Sequence, residues 1–153
     1  PQRLAARRAA VGATMSDSPM TVEVLQAALA EYFAPWVQAL QLKVEQAQGS
    51  SVRLRLPVTP ELTRVGDVLC GQAMMAAADT AMVLALMQHL GAFRPMTTVQ
   101  LGGQFMRPLS AQDALVQATV LRAGKSLAFG DIDISGANDG KSVYRASTTY
   151  ALL

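Results

Sequence analysis

The sequence predicts an α+β domain in which an antiparallel sheet wraps around one long central helix, at about residues 71–90. Three observations predict it. From Val68 to Gln88 the chain is almost wholly apolar and carries a single charge, Asp79. On either side lie short segments that alternate apolar and polar residues, two before it and four after. Between those segments stand turn residues such as Gln48-Gly49-Ser50-Ser51 and Gly136-Ala137-Asn138-Asp139-Gly140. Segments joined by tight turns make an antiparallel sheet, and one apolar helix needs a sheet to cover it.

The elements follow in order. Residues 1–19 are rich in Arg and Ala and lack a continuous apolar core, so they are expected to form a flexible N-terminal extension, with Met15 and Met20 as candidate starts. Residues 20–153 then make one domain. Val22, Leu25, Leu29, Tyr32 and Phe33 recur at helical spacing until Pro35. Val37, Ala39 and the Leu42–Val44 run read as a first strand, and Val52, Leu54 and Leu56, alternating with Arg53 and Arg55, as a second with one wet face. Residues 61–71 are expected to be loop. The central helix ends at Gly91, Phe93 and Pro95. Strands follow over Thr97–Phe105, Leu115–Leu121, Leu127–Ile134 and Val143–Leu152. The Gly102-Gly103 pair marks a distortion or a close backbone approach in the first of these.

Composition excludes several function classes. Of 153 residues, 51% are apolar and 16% charged, a globular balance. Removing Arg3, Arg7 and Arg8 takes the formal charge from +2 to −1, so the domain has no basic stripe for nucleic acid. Cys70 and His89 are the only residues of their kinds, too few for a disulfide or a structural zinc site, and no metal is expected. The apolar run is long enough to span a bilayer, but Asp79 would then sit near the midplane at a cost of several kcal/mol. A core helix in a cytoplasmic protein is the expectation, with no membrane partner.

That helix is thin, with Ala73, Ala76, Ala77, Ala78 and Ala81, and its methionines fill irregular gaps. It is expected to be buried on nearly all sides, so Asp79 requires a partner or a function. One reading is structural, with Asp79 satisfied by backbone amides or by an arginine such as Arg107. The other is chemical, with Asp79 as base or nucleophile. Serine–histidine chemistry lacks its parts, and a Cys70–His89 pair is excluded because the two lie at opposite ends of one helix.

The string Val68-Leu69-Cys70-Gly71-Gln72 through Ala78-Asp79-Thr80-Ala81-Met82 resembles the signature of the PaaI-like hotdog thioesterases. Thr97 through Pro108, the Arg122-Ala123-Gly124-Lys125 turn and the closing Ala146–Tyr150 strand resemble that family as well, and the likeness covers roughly residues 37–153. It implies a hotdog fold and hydrolysis of an acyl-CoA thioester, with coenzyme A as part of the substrate and no cofactor. It further implies Gly71 as the amide that polarises the carbonyl, Asp79 as base or nucleophile and Thr98 as its helper. Arg122 and Lys125 fall where the family meets coenzyme A phosphates. Physics supports Gly71 separately, because the first amides of a helix are unpaired and sit at its positive end.

Spacing adds a constraint. Gly71 and Asp79 are about 12 Å apart along a helix, at roughly 1.5 Å per residue. They cannot both touch one carbonyl within a chain, so the site needs two subunits, in agreement with the family's homodimers and homotetramers. The sequence departs from the family's pattern near the helix start. Cys70 stands for its histidine, Gln72 for its second glycine, and Arg64 for an asparagine six residues upstream; all three are expected to line the substrate site. These departures give the alternative function, an acyl-CoA-binding hotdog protein without turnover.

Overall fold

A computed structural model of the protein describes residues 20–153; the expected extension at 1–19 lies outside the described residues. Helix α1, Val22–Tyr32, starts at Thr21, whose hydroxyl accepts from the Val24 amide at 3.2 Å, and it buries Leu25, Ala28 and Leu29. Gln26 fastens α1 to the sheet. Its side-chain nitrogen donates to the Leu42 carbonyl at 3.2 Å, and its oxygen accepts from the Val44 amide at 2.8 Å.

The segment after α1 corrects the sequence reading. Residues Pro35–Gln38 form a short helix, α2, and strand β1 begins only at Lys43. Pro35 has a fixed φ and no amide hydrogen, which suits the first helical position, and Ala34 before it is extended. Gln41, at φ 56°, then swings the chain into β1. The alternation at Val37 and Ala39 was therefore no strand signal.

Strands β1, Lys43–Gln48, and β2, Ser51–Leu56, form a hairpin around Gly49 at φ 59°. Val52, Leu54 and Leu56 point into the core, while Arg55 reaches outward to Glu45 and Asp113. The expected loop contains a 3-10 turn at Pro60–Leu62 and a two-residue pair, β3 (Thr63–Arg64) with β4 (Val68–Leu69). Then comes α3, Gly71–Leu90, closed by Gly91 in the left-handed region at φ 75° with its amide on the Met87 carbonyl.

Four long strands complete the fold: β5 Met96–Phe105, β6 Ala114–Ala123, β7 Leu127–Gly136 and β8 Ser142–Leu152. The sheet order is β1-β2-β6-β7-β8-β5, antiparallel throughout. Helix α3 packs chiefly against β6 and β2, with Ala73, Ala77, Ala78, Ala81 and Ala85 buried. Its length and composition would suit a membrane span, yet 61% of its apolar window is covered by the rest of the protein. It is a core helix.

Burial covers α3 on nearly all sides, as expected, and leaves one stripe open. Gln72 and Met75 are exposed, and Ala76, Asp79 and Val83 only half-buried. These positions are three or four residues apart and form one stripe along the helix. The stripe faces the same border of the molecule as β5, which among the described residues pairs only with β8 and is exposed at eight of its ten positions.

Candidate active site

Asp79 lies midway along α3. The Thr98 hydroxyl donates to its Oδ1 at 2.9 Å, and the Tyr150 hydroxyl donates to the same oxygen. Tyr150 also lies 2.9 Å from the Asp79 main-chain carbonyl. Thr98 and Tyr150 are direct cross-strand partners on β5 and β8, so both hydroxyls reach the carboxylate from adjacent positions on the sheet's inner face. Among the described residues Oδ2 has no hydrogen-bond partner. One oxygen is anchored; the other is left to accept a proton or to attack.

No ion pair among the described residues includes Asp79, so the structural reading through Arg107 is not what the fold builds. Arg107 lies instead near Asp139, where it helps hold that carboxyl below its usual range, behind the Lys141 amide and the Gln112 side chain. Burial, then the Asp79 charge, push the Tyr150 hydroxyl far above the usual tyrosine range, which keeps it a donor.

The other end of the site lies at the start of α3. Gly71 is its first residue, and Cys70 before it offers no side-chain cap, so the opening amides remain at the positive end of the helix. The Phe105 ring lies over Gly71: a Cβ there would be 3.1 Å from Phe105 Cε1. Cys70 is half-buried with a free thiol, and its amide donates to the Leu62 carbonyl at 2.9 Å. His89 hydrogen-bonds Ser50 at 2.8 Å, far from Cys70.

The structure therefore brings together Asp79 and Thr98 and keeps Gly71 and Cys70 apart from them. Gln72 stands on the open stripe, one turn from Ala76 and two from Asp79. Arg64 is exposed on β3 and folds its guanidinium onto the Val65 carbonyl at 3.2 Å. Arg122 and Lys125 are exposed at the β6–β7 turn, at the opposite end of α3 from Gly71. Arg94, which the sequence reading missed, donates to the Lys125 carbonyl at 3.0 Å and adds a third cation there.

Two tyrosines on the inner face of β8 were also missed. Tyr150 is one; the inward period of β8 would have placed it in the core, but nothing local pairs it with Asp79. Tyr144 is the other. It is fully buried, its ring 4.7 Å from that of Phe105, and among the described residues its hydroxyl has no hydrogen-bond partner. An unpaired buried polar group costs about 1–3 kcal/mol. The Gly102-Gly103 pair lies in regular ladder; the bulge of β5 falls between Thr98 and Gln100, and Gly103 is the close approach, against Tyr144.

A concavity of about 720 Å³ opens on the far side of the sheet, lined by Gln104, Gln117, Asp131 and Arg145 among others. Gly102 and Gly103 touch it, but Asp79, Thr98, Tyr150, Gly71 and Cys70 do not, and solvent-facing strand residues floor it. The candidate groups lie on the other face, along the α3 stripe.

A profile described as the thioesterase superfamily matches residues 64–143. A Thermoplasma acidophilum protein provisionally named an esterase is 26% identical over 115 residues, 75% of this chain and 86% of its own length. A provisionally named thioesterase structure from a Silicibacter species is 30% identical with a TM-score of 0.77, covering 88% of this chain and 92% of its own. The phenylacetic acid degradation protein PaaI of Thermus thermophilus, solved as a point mutant, superimposes with a TM-score of 0.69 at 21% identity, over 78% of this chain and 100% of its own.

Proposed function

The chain belongs to the thioesterase superfamily, and on that premise we propose that it hydrolyses an acyl-CoA thioester with Asp79 as general base or nucleophile. The observation that carries this reading is the asymmetric carboxylate, with Oδ1 held by Thr98 and Tyr150 and Oδ2, among the described residues, without a hydrogen-bond partner on a half-buried residue of the α3 stripe. A base must be oriented and yet keep a lone pair free, and this arrangement supplies both. Attack on the thioester carbonyl needs a donor for the developing oxyanion, and the Gly71 amide at an uncapped helix start is such a donor.

The donor comes from a second subunit. Strand β5 offers unpaired backbone groups along its outer edge, which suits strand addition. Antiparallel pairing of two β5 strands through their midpoint, between Gln100 and Leu101, sets Phe105 of the partner subunit opposite Met96. Gly71 lies against Phe105 in each chain. The partner's helix start therefore arrives beside Thr98 and Asp79, and close to the Arg94, Arg122 and Lys125 end. Those cations suit coenzyme A phosphates, while Cys70 and Gln72 line the shared mouth. A dimer has two such sites, and a tetramer would repeat them. The reading calls for no cofactor; coenzyme A belongs to the substrate.

The test is a hydrolysis screen over short, medium, long and aromatic acyl-CoAs, with Asp79→Asn beside wild type. Loss of about a hundredfold or more in kcat with binding retained is expected. Hydrolysis that survives the substitution would remove Asp79 from its role. Saturable binding of acyl-CoA by wild type with no turnover would leave a binding protein instead.

A further inference from the structure

The Tyr144 hydroxyl is the polar group of the inner face that the chemistry above leaves unused. Tyr144 and Tyr150 both point inward from β8, three side-chain pairs apart along the same face. Tyr150 gives its hydroxyl to Asp79; Tyr144 has no partner among the described residues. The Tyr144 ring leaves β8 opposite Phe105 and leans over Gly103, where a Cβ would lie 2.5 Å from ring atoms Cε2 and Cζ. Gly103 is two residues from Phe105 in the direction of Thr98. The hydroxyl thus points from the Gly71 end of β5 towards Asp79, along the surface between helix and edge strand. Burial, then the Asp79 charge, push it above the usual tyrosine range.

A phenylalanine would fill the same space without an unpaired hydroxyl. A phenol both donates and accepts, so the partner that suits it is an oxygen carried in by the ligand. The Phe105 ring, 52% exposed, touches both the Tyr144 ring and the start of α3, so Tyr144 lies one ring away from the open mouth of the site.

We propose that Tyr144 is a specificity-determining residue whose hydroxyl hydrogen-bonds an oxygen on the acyl chain, so that the favoured substrates are hydroxy- or keto-acyl thioesters rather than plain hydrocarbon ones. The proposal rests on the thioesterase reading and deepens it. A site that hydrogen-bonds a substrate oxygen discriminates against the analogue lacking it, because the buried group is then left unpaired.

The experiment compares kcat/KM on chain-length-matched sets, each a saturated acyl-CoA with its β-hydroxy and β-keto counterparts, for wild type and Tyr144→Phe, with a thermal melt of each. Wild type is expected to favour an oxygenated member by about tenfold, the worth of one neutral hydrogen bond. Tyr144→Phe should erase that preference, leave the saturated substrate unaffected, and melt no lower than wild type. A preference that survives the substitution overturns the proposal. So does an equal loss on all members with a lowered melting temperature, which marks Tyr144 as structural. Wild type that hydrolyses saturated and oxygenated members alike defeats this inference alone; wild type that hydrolyses none defeats the thioesterase reading and the inference with it.

Discussion

The chemistry of the proposed site comes down to which hydroxyls hold Asp79 Oδ1. Thr98 and Tyr150 both do, and Tyr150 also lies within reach of the main-chain carbonyl of the same residue. Tyr150→Phe keeps the ring volume but removes the second donor. We expect kcat to fall about tenfold with KM within about twofold, and stability to drop by about 1–3 kcal/mol in a urea titration. The same substitution has a pH signature. The folded-state pKa of Tyr150 is raised above the ordinary value of 10.0, so the folded protein holds this proton more tightly than the unfolded chain. The stability gained is complete below about pH 10 and is lost as pH rises towards the folded value. Wild type should therefore weaken in alkali more steeply than Tyr150→Phe, as read from urea midpoints on both sides of about pH 10.

At the scale of elements, α3 is defined by signals that sit in its own sequence. Gly91 supplies the left-handed turn that ends it, and the alanine face lets the sheet approach closely. The opposing strand makes room as well. At Gly130 on β7 a Cβ would lie 2.6 Å from Met82 Sδ and 2.9 Å from the Thr119 carbonyl oxygen. Gly130→Ala should cost about 1–3 kcal/mol through overpacking, measured by thermal or urea unfolding. The helix start allows a sharper test. Gly71 is the first helical residue and Cys70 is already extended, so proline fits there while deleting the amide hydrogen. Gly71→Pro should retain the fold, with the Phe105 ring displaced, and lose about a hundredfold in kcat, as expected when one oxyanion donor goes. Circular dichroism and steady-state kinetics on the same preparation separate the two effects. The 35–44 segment shows the limit of such reading. The apolar residues of a short proline-led helix can imitate a strand's alternation, and Pro35 at its first position is the local signal that separates the two.

At the scale of the whole molecule, the proposed site joins Asp79 of one subunit to Gly71 of another. The exposed stripe of α3 and the unpaired edge of β5 share one border, and Val99, 59% exposed, stands on it. Val99→Lys should shift the protein to monomer in analytical ultracentrifugation and abolish hydrolysis together. Mixing offers a stricter check. Refolding Asp79→Asn with Gly71→Pro, each down about a hundredfold alone, should recover activity, because a mixed dimer contains one intact site. No recovery from demonstrably mixed dimers would mean that the two groups do not act across subunits. The extent of α3, the four later strands, Asp79 as the one charge in an apolar run and the place of Thr98 were all legible in the sequence. Each is set by local spacing, turn chemistry or a charge where burial is costly, or by a resemblance carried on such strings. That Tyr150 closes on Asp79, that Phe105 covers Gly71, and that among the described residues Tyr144 has no partner and one stripe of α3 stays open were decided only by the tertiary structure. All four depend on β8 lying between β7 and β5 in a given register, and such pairings are set by the packing of residues far apart in the chain.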